Sequence, residues 1–230
     1  ICELIKPYRS NSKQLQALWD NVRKMEDDIL DRLQAGGYSV NLDPSILTPA
    51  SENEIILCLN YGGLYGINNI NHFMQENNNG KEIRRGIQRY KVGDPILFND
   101  LADSFFTKNK EQVPIIHNNM KGRIEDFRLL EAGKVTERIQ FDIEIDKPLM
   151  NLDDKDLDFQ VIGVSEKGNS IIRFEVYKNK STDEDDDSVS KNMVPFQIAY
   201  AVSIHKAQGL EYDSVKIIIT DDIDELITHS

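Results

Sequence analysis

The sequence predicts an α/β protein, a parallel sheet with crossover helices interrupted by an inserted small antiparallel β-barrel. Three features of the 230 residues lead there. The first third alternates a helical apolar period with a short apolar run and a second helical period, the succession that builds parallel sheets through crossovers. From about residue 81 the pattern changes to short apolar runs separated by turn signals, as antiparallel strands require. From Pro195 the longer apolar strands return. The expected division is therefore residues 1–85 plus 192–230 as one α/β domain, and 86–191 as the inserted β module.

Each element has its own signal. I-C-E-L-I reads as a short strand, and Ser10, Asn11 or Ser12 stands where a helix cap belongs. Leu15, Leu18, Val22, Met25, Ile29 and Leu33 recur at intervals of 3 or 4, one helical face that closes at Gly36-Gly37. Glu54 to Asn60 has strand length and enough apolar residues for burial on both sides. Gly62-Gly63 introduce a second helix with Ile67, Ile70 and Met74 on one face. K-E-I-R-R-G-I-Q-R-Y-K (81–91) then concentrates five basic residues against one acid. Gly93-Asp94-Pro95, His117-Asn118-Asn119, Gly133 and Gly168-Asn169 divide the strands that follow. Ser170–Tyr177 alternates Ile172, Phe174 and Val176 with Arg173, Glu175 and Tyr177, and forms a hairpin with Phe159–Val164 across E-K-G-N. Asp183–Asp187 reads as a solvated loop, since consecutive carboxylates repel and lack the fixed geometry of a metal site. Phe196–Ile204 and Ser214–Thr220 are the returning strands.

Charge and cysteine usage narrow the function classes. With 27 basic and 39 acidic residues the net charge is −12, which argues against a protein that coats nucleic acid non-specifically. A local cationic track remains compatible, because phosphate contacts are short-range and screened within about 8–10 Å. Cys2 and Cys58 read as free thiols of a reducing, cytoplasmic compartment. His72, His117, His205 and His229 are too scattered for zinc, and no metal ligands are assigned. The longest apolar stretch, Ile55 to Leu59, is far too short to span a bilayer, and no secretion signal opens the sequence.

The richest chemistry lies in A-V-S-I-H-K-A-Q-G-L-E-Y-D-S-V-K-I-I-I (201–219). Ser203, His205, Lys206, Gln208, Gly209 and Glu211 fall between two apolar strands, more functional groups than a plain connection needs. S-I-H-K-A-Q-G-L-E-Y-D-S-V resembles the fifth conserved motif of superfamily 1 helicases, and Gln208 makes it closer to the RecD-like branch than to the UvrD-like one. K-P-Y-R-S (6–10), followed by an amphipathic helix, resembles the fourth motif. V-G-D-P-I-L-F-N-D (92–100) with N-N-M-K-G-R-I (118–124) resembles the Src-homology-3-like barrel inserted in RecD-like enzymes.

This resemblance implies a RecA-like (P-loop NTPase-like) second motor domain of an ATP-dependent DNA helicase, with ATP and Mg held between it and an N-terminal RecA-like domain. It implies single-stranded DNA as the other partner. Tyr8 would stack on adenine, and Arg9 would be the catalytic cation at the γ-phosphate, where a planar, permanently charged fork suits the transferring group. Out of that context, Tyr8-Arg9 is simply a partly buried tyrosine beside a surface arginine. Gly209 would let backbone N–H approach a phosphate, and Glu211 would accept from ribose hydroxyls. Ser203, His205 and Lys206 would hold the strand backbone, with Gln208 linking the two sites; a satisfied core polar residue is the plainer role for His205. Arg84, Arg85 and Arg89, helped by Tyr90, would track phosphates, or else form a solvated helix face.

Two family elements are missing. No G-x-x-x-x-G-K-[S/T] occurs: Gly80-Lys81 is followed by Glu82, and Gly133-Lys134 by Val135. No T-R-A-[R/K]-like sixth motif follows residue 219 either, and Val215–Thr220 with Asp221-Asp222 only mimics the strand of a magnesium site. The expectation is a fragment of the second motor domain, inactive as an ATP hydrolase by itself. The alternatives are a non-enzymatic adaptor that binds nucleic acid or peptide, and a fragment of an RNA helicase.

Overall fold

A computed structural model describes residues 12–24, 26, 28–38, 47–49, 51–102, 115–134, 137–149, 158–178 and 192–219. The chain divides into two compact units, Ile1–Thr48 and Pro49–Ser230. Tyr8, Arg9, the acidic stretch 183–187 and Asp221-Asp222 lie outside the described residues.

In the first unit the unbroken apolar period does not give one helix. α1 spans Lys13–Lys24 and α2 spans Ile29–Ala35. The interruption includes Glu26 and Asp28, because carboxylates are unfavourable at a helix C-terminus and favourable at an N-terminus. α1 accordingly closes on Arg23 and Lys24, and α2 restarts with Asp31 in its first turn. Asp28 Oδ2 accepts from Arg32 Nε at 2.7 Å. Ser12 Oγ accepts from Leu15 N at 3.3 Å, a cap for α1. Gly37, at φ 80°, supplies the left-handed residue that ends α2.

The described part of the second unit holds β1 (Glu54–Cys58), α3 (Ile67–Asn77), β2 (Glu82–Arg85), β3 (Gln88–Lys91), β4 (Pro95–Phe98), β5 (Lys121–Leu130), β6 (Arg138–Ile145), β7 (Gln160–Val164), β8 (Ser170–Tyr177), β9 (Phe196–Ile198), β10 (Ala201–Ser203), α4 (Ile204–Ala207) and β11 (Ser214–Ile218). Three strands form a parallel sheet in the order β10-β1-β11. Six form an antiparallel sheet in the order β7-β8-β6-β5-β4-β9, and β2 pairs with β3 in a separate hairpin.

These counts overturn the RecA-like α/β expectation. The described fold is mostly β, with a dominant antiparallel sheet and four short helices. The reason lies in the connections. A parallel pairing needs a long crossover, whereas short turns join neighbours antiparallel. Among the described residues only three strands pair in parallel, and the turn from β7 to β8 feeds the larger sheet.

Two local expectations change as well. The 81–91 basic run is not a helix face but the β2–β3 hairpin, turned at Gly86 with φ 60°. The run Phe196–Ile204 is not one strand: β9 pairs antiparallel with β4, two residues pass between the sheets, and β10 pairs parallel with β1. Ile204 already belongs to α4.

The core of the larger sheet is aromatic. Phe141 sits 5.2 Å from Phe196 at 84° and 5.5 Å from Tyr90 at 76°, with Phe127 and Phe174 beyond, mostly the edge-to-face arrangement that ring quadrupoles favour. A smaller cluster of Ile55, Leu97, Ala199 and Val202 joins the two sheets. Among the described residues no helix is long and apolar enough to cross a membrane.

Candidate functional site

In open parallel sheets, ligands bind outside the carboxyl ends of the strands. β10 reaches that edge at Ser203, and the register Cys58↔Ser203 brings the end of β1 beside it. The polar segment 203–211 begins there. Ser203 is extended, at φ −73° and ψ 152°, and its Oγ accepts from Lys206 N at 3.4 Å, capping the four-residue α4. Gln208 N donates to His205 O at 3.3 Å. Gly209 follows at φ 85° with open space where a Cβ would sit, so it is the backbone angle that calls for glycine.

The structure brings all six expected residues onto this one turn but divides their roles. Lys206 Nζ donates to Gln197 Oε1 at 2.5 Å, tying the turn back to β9. Ser203 and Lys206 therefore serve the turn itself. His205, Gln208, Gly209 and Glu211 are exposed. The backbone at Glu211 is fixed, since Lys121 Nζ donates to its carbonyl at 2.9 Å. Ala207, Leu210 and Tyr212 pack on the cluster that joins the sheets. Burial, with Asp146 adding to it, pushes the Tyr212 phenol up to about 12.

The three arginines of the hairpin lie elsewhere and are engaged. Arg89 Nη1 meets Glu76 Oε1 at 2.6 Å and Nη2 lies 3.0 Å from His72 Nδ1, with the side chain only 11% exposed. That contact holds the Glu76 carboxyl below the usual carboxylate range. Arg85 Nη2 donates to the carbonyls of Tyr177 and Asn192. Arg84 is largely exposed, paired with Glu82 at 2.6 Å. Tyr90 is buried against Phe141, so its ring is unavailable for stacking on a base.

A cavity of about 380 Å³ opens between the two sheets, and its cations are likewise occupied. Lys121 pairs with Asp146 at 2.8 Å, Lys167 with Glu52 at 2.7 Å, and Arg123 Nη1 donates to Gly93 O at 2.9 Å.

Of the residues expected at ATP, Gly209 and Glu211 are presented on the turn while Tyr8 and Arg9 lie outside the described residues, and no three His, Cys, Asp or Glu side chains among the described residues group to hold a metal. One surface feature carried no expectation: the loop Asn60–Gly66 at the same edge exposes Tyr61, Leu64 and Tyr65. Its signal was present in N-Y-G-G-L-Y-G, where paired aromatics flank glycines. No protein-family model matches the sequence, and no curated protein matches it.

Proposed function

We propose that this chain is part of an ATP-dependent DNA helicase of the RecD-like branch of superfamily 1, and that its role there is to grip single-stranded nucleic acid through residues 203–211. The observation that carries the reading is the exposure of His205, Gln208 and Glu211 together on one braced turn at the carboxyl edge of β10. Imidazole and amide groups can donate to phosphate oxygens or pair with base edges, and the Glu211 carboxylate can accept from the ribose hydroxyls of a bound nucleotide. The nucleotide chemistry then belongs to a phosphate-loop domain outside this sequence, and ATP turnover by the chain alone is indistinguishable from buffer. A cytoplasmic site of action agrees with the buried free thiol of Cys58.

A second reading, a nucleic-acid-binding adaptor without a motor role, is favoured by the small size of the parallel layer, three strands beside six antiparallel ones. Fluorescence anisotropy of labelled DNA and RNA single strands of about 20 nucleotides, at about 50 and 200 mM salt, tests the grip. His205→Ala/Gln208→Ala is expected to weaken binding about 5–10-fold. Unchanged affinity would refute the role of the turn. Strand affinity that ignores ATP when a phosphate-loop domain is supplied in trans favours the adaptor.

A further inference from the structure

We infer that the loop Asn60–Gly66 is a base-stacking platform, presenting Tyr61 and Tyr65 to the unpaired bases of a single strand held by the 203–211 turn. The inference deepens the function proposed above and rests on it. The loop leaves β1 where the turn leaves β10: Cys58 and Ser203 are register partners, and neighbouring strands run about 4.8 Å apart. Asn71 on α3 clasps Ala201 through both amide atoms, Nδ2 to Ala201 O and Oδ1 from Ala201 N, each at 2.9 Å. The helix after the loop and the strand before the turn are thus fixed to each other.

The loop is braced so that its rings face outward. Ile67 N donates to Asn60 O at 2.9 Å, Asn68 N to Tyr61 O at 3.1 Å, and Gly66 N to Gly63 O at 3.2 Å. Asn69 Nδ2 adds a bond to Gly63 O at 2.7 Å. The backbone folds back so closely that a Cβ on Gly66 would lie 2.0 Å from Gly62 O. Tyr61 is 53%, Leu64 74% and Tyr65 37% exposed. Single exposed apolar residues are ordinary on any surface. Three within residues 61–65, on a loop with four ties, form a platform.

Charge selects the occupant. The sequence holds 39 acidic residues, yet none lies between residues 55 and 75 or between 192 and 210, and Glu211 closes the turn. Those two segments build this edge. A site for a basic peptide would carry several carboxylates; this one offers rings, amides and His205, with Glu211 the one acid in the 203–211 turn, in an otherwise acidic protein. A polyanion with flat π-faces matches both properties, and because every base has such a face, recognition by stacking tolerates any sequence.

The test compares oligothymidine of about 20 nucleotides with a baseless strand of equal length, both labelled, at low salt. Wild type is expected to prefer oligothymidine. Tyr61→Ala/Tyr65→Ala should lose about 10-fold or more on oligothymidine and nothing on the baseless strand, while Tyr61→Phe/Tyr65→Phe keeps wild-type affinity. Independently, indole fluorescence of Tyr65→Trp should be quenched by oligothymidine and not by the baseless strand. Equal losses on both strands, no loss on oligothymidine, or fluorescence left unquenched by bound oligothymidine would overturn the platform and leave the turn's grip standing. Failure of wild type to bind either strand overturns that grip, and the platform with it.

Discussion

Asp94 is the position where one substitution is expected to cost the second unit most. Its carboxylate is fully buried and accepts four hydrogen bonds. Oδ2 takes them from Gln75 Nε2 at 2.6 Å and Lys91 N at 2.8 Å, and Oδ1 from Asn78 Nδ2 at 2.7 Å and the Tyr200 hydroxyl at 2.9 Å. The donors come from the end of α3, from β3 and from the link between β9 and β10, so one side chain gathers three parts of the fold. Burial first, and the Asp94 charge second, raise the Tyr200 phenol well above the usual tyrosine range. In Asp94→Ala, Gln75 Nε2 still reaches Arg89 O at 3.0 Å and Asn78 Nδ2 still reaches Val92 O at 3.0 Å. Lys91 N and the Tyr200 hydroxyl lose their Asp94 acceptor. A buried donor stranded in this way costs about 1–3 kcal/mol, so the pair costs about 2–6 kcal/mol. Urea unfolding measures it: with a slope of about 2 kcal/mol/M the midpoint falls by about 1–3 M at unchanged slope. Asp94→Asn keeps the shape and one acceptor oxygen, and is expected to cost about half as much. A midpoint shift below about 0.5 M for Asp94→Ala, or a larger loss for Asn than for Ala, would refute the reasoning.

Two further outcomes follow from single sites. Burial pushes the Cys58 thiol up to about 11 from a reference of 9.0. The unfolded chain therefore gives up a proton that the native thiol keeps, and this contribution to stability, complete below pH 9.0, declines as pH rises through about 11. The stability difference between wild type and Cys58→Ala, constant up to neutral pH, should shift by about 2 kcal/mol against wild type near pH 11; a difference that ignores pH would contradict the burial effect. Gly66→Ala places a methyl group 2.0 Å from Gly62 O and 2.8 Å from Tyr61 O, backbone atoms that cannot rotate away. It should destabilise by about 1–3 kcal/mol and speed amide exchange at Ile67 and Asn68, whose N–H groups close the loop; wild-type protection at both amides would show that the loop has room.

What could be read from the sequence depended on how far away the deciding partner lay. Ile172, Phe174 and Val176 alternate within one strand, and β8 with its hairpin partner β7 stands where that alternation placed it. Ile67, Ile70 and Met74 are likewise buried on α3. The α1–α2 interruption was hidden, because the apolar period continues through Glu26–Asp28 and only charge placement opposes it. Phe196–Ser203 has a composition suited to either sheet, so nothing local announced that its two halves serve different ones. The number of parallel strands was equally hidden, since an apolar run reveals a strand and its connections reveal the direction of pairing. At the site, residues 203–211 were legible as a polar turn between two strands. That Ser203 would cap α4 and Lys206 would reach Gln197 depended on the fold. Arg85 was out of reach for the same reason, its acceptors being the carbonyls of Tyr177 and Asn192.

Ala199 and Tyr200 alone separate β9 from β10, and each is anchored to a different sheet: Ala199 N donates to Pro95 O at 2.9 Å, and Tyr200 O accepts from Ile56 N at 3.1 Å. A joint this short has no slack. A shift of the β4–β9 edge reaches Ser203 within a few bonds, and a load on His205 is returned along the same path. The turn is therefore geared to both sheets at once, with no idle travel between them.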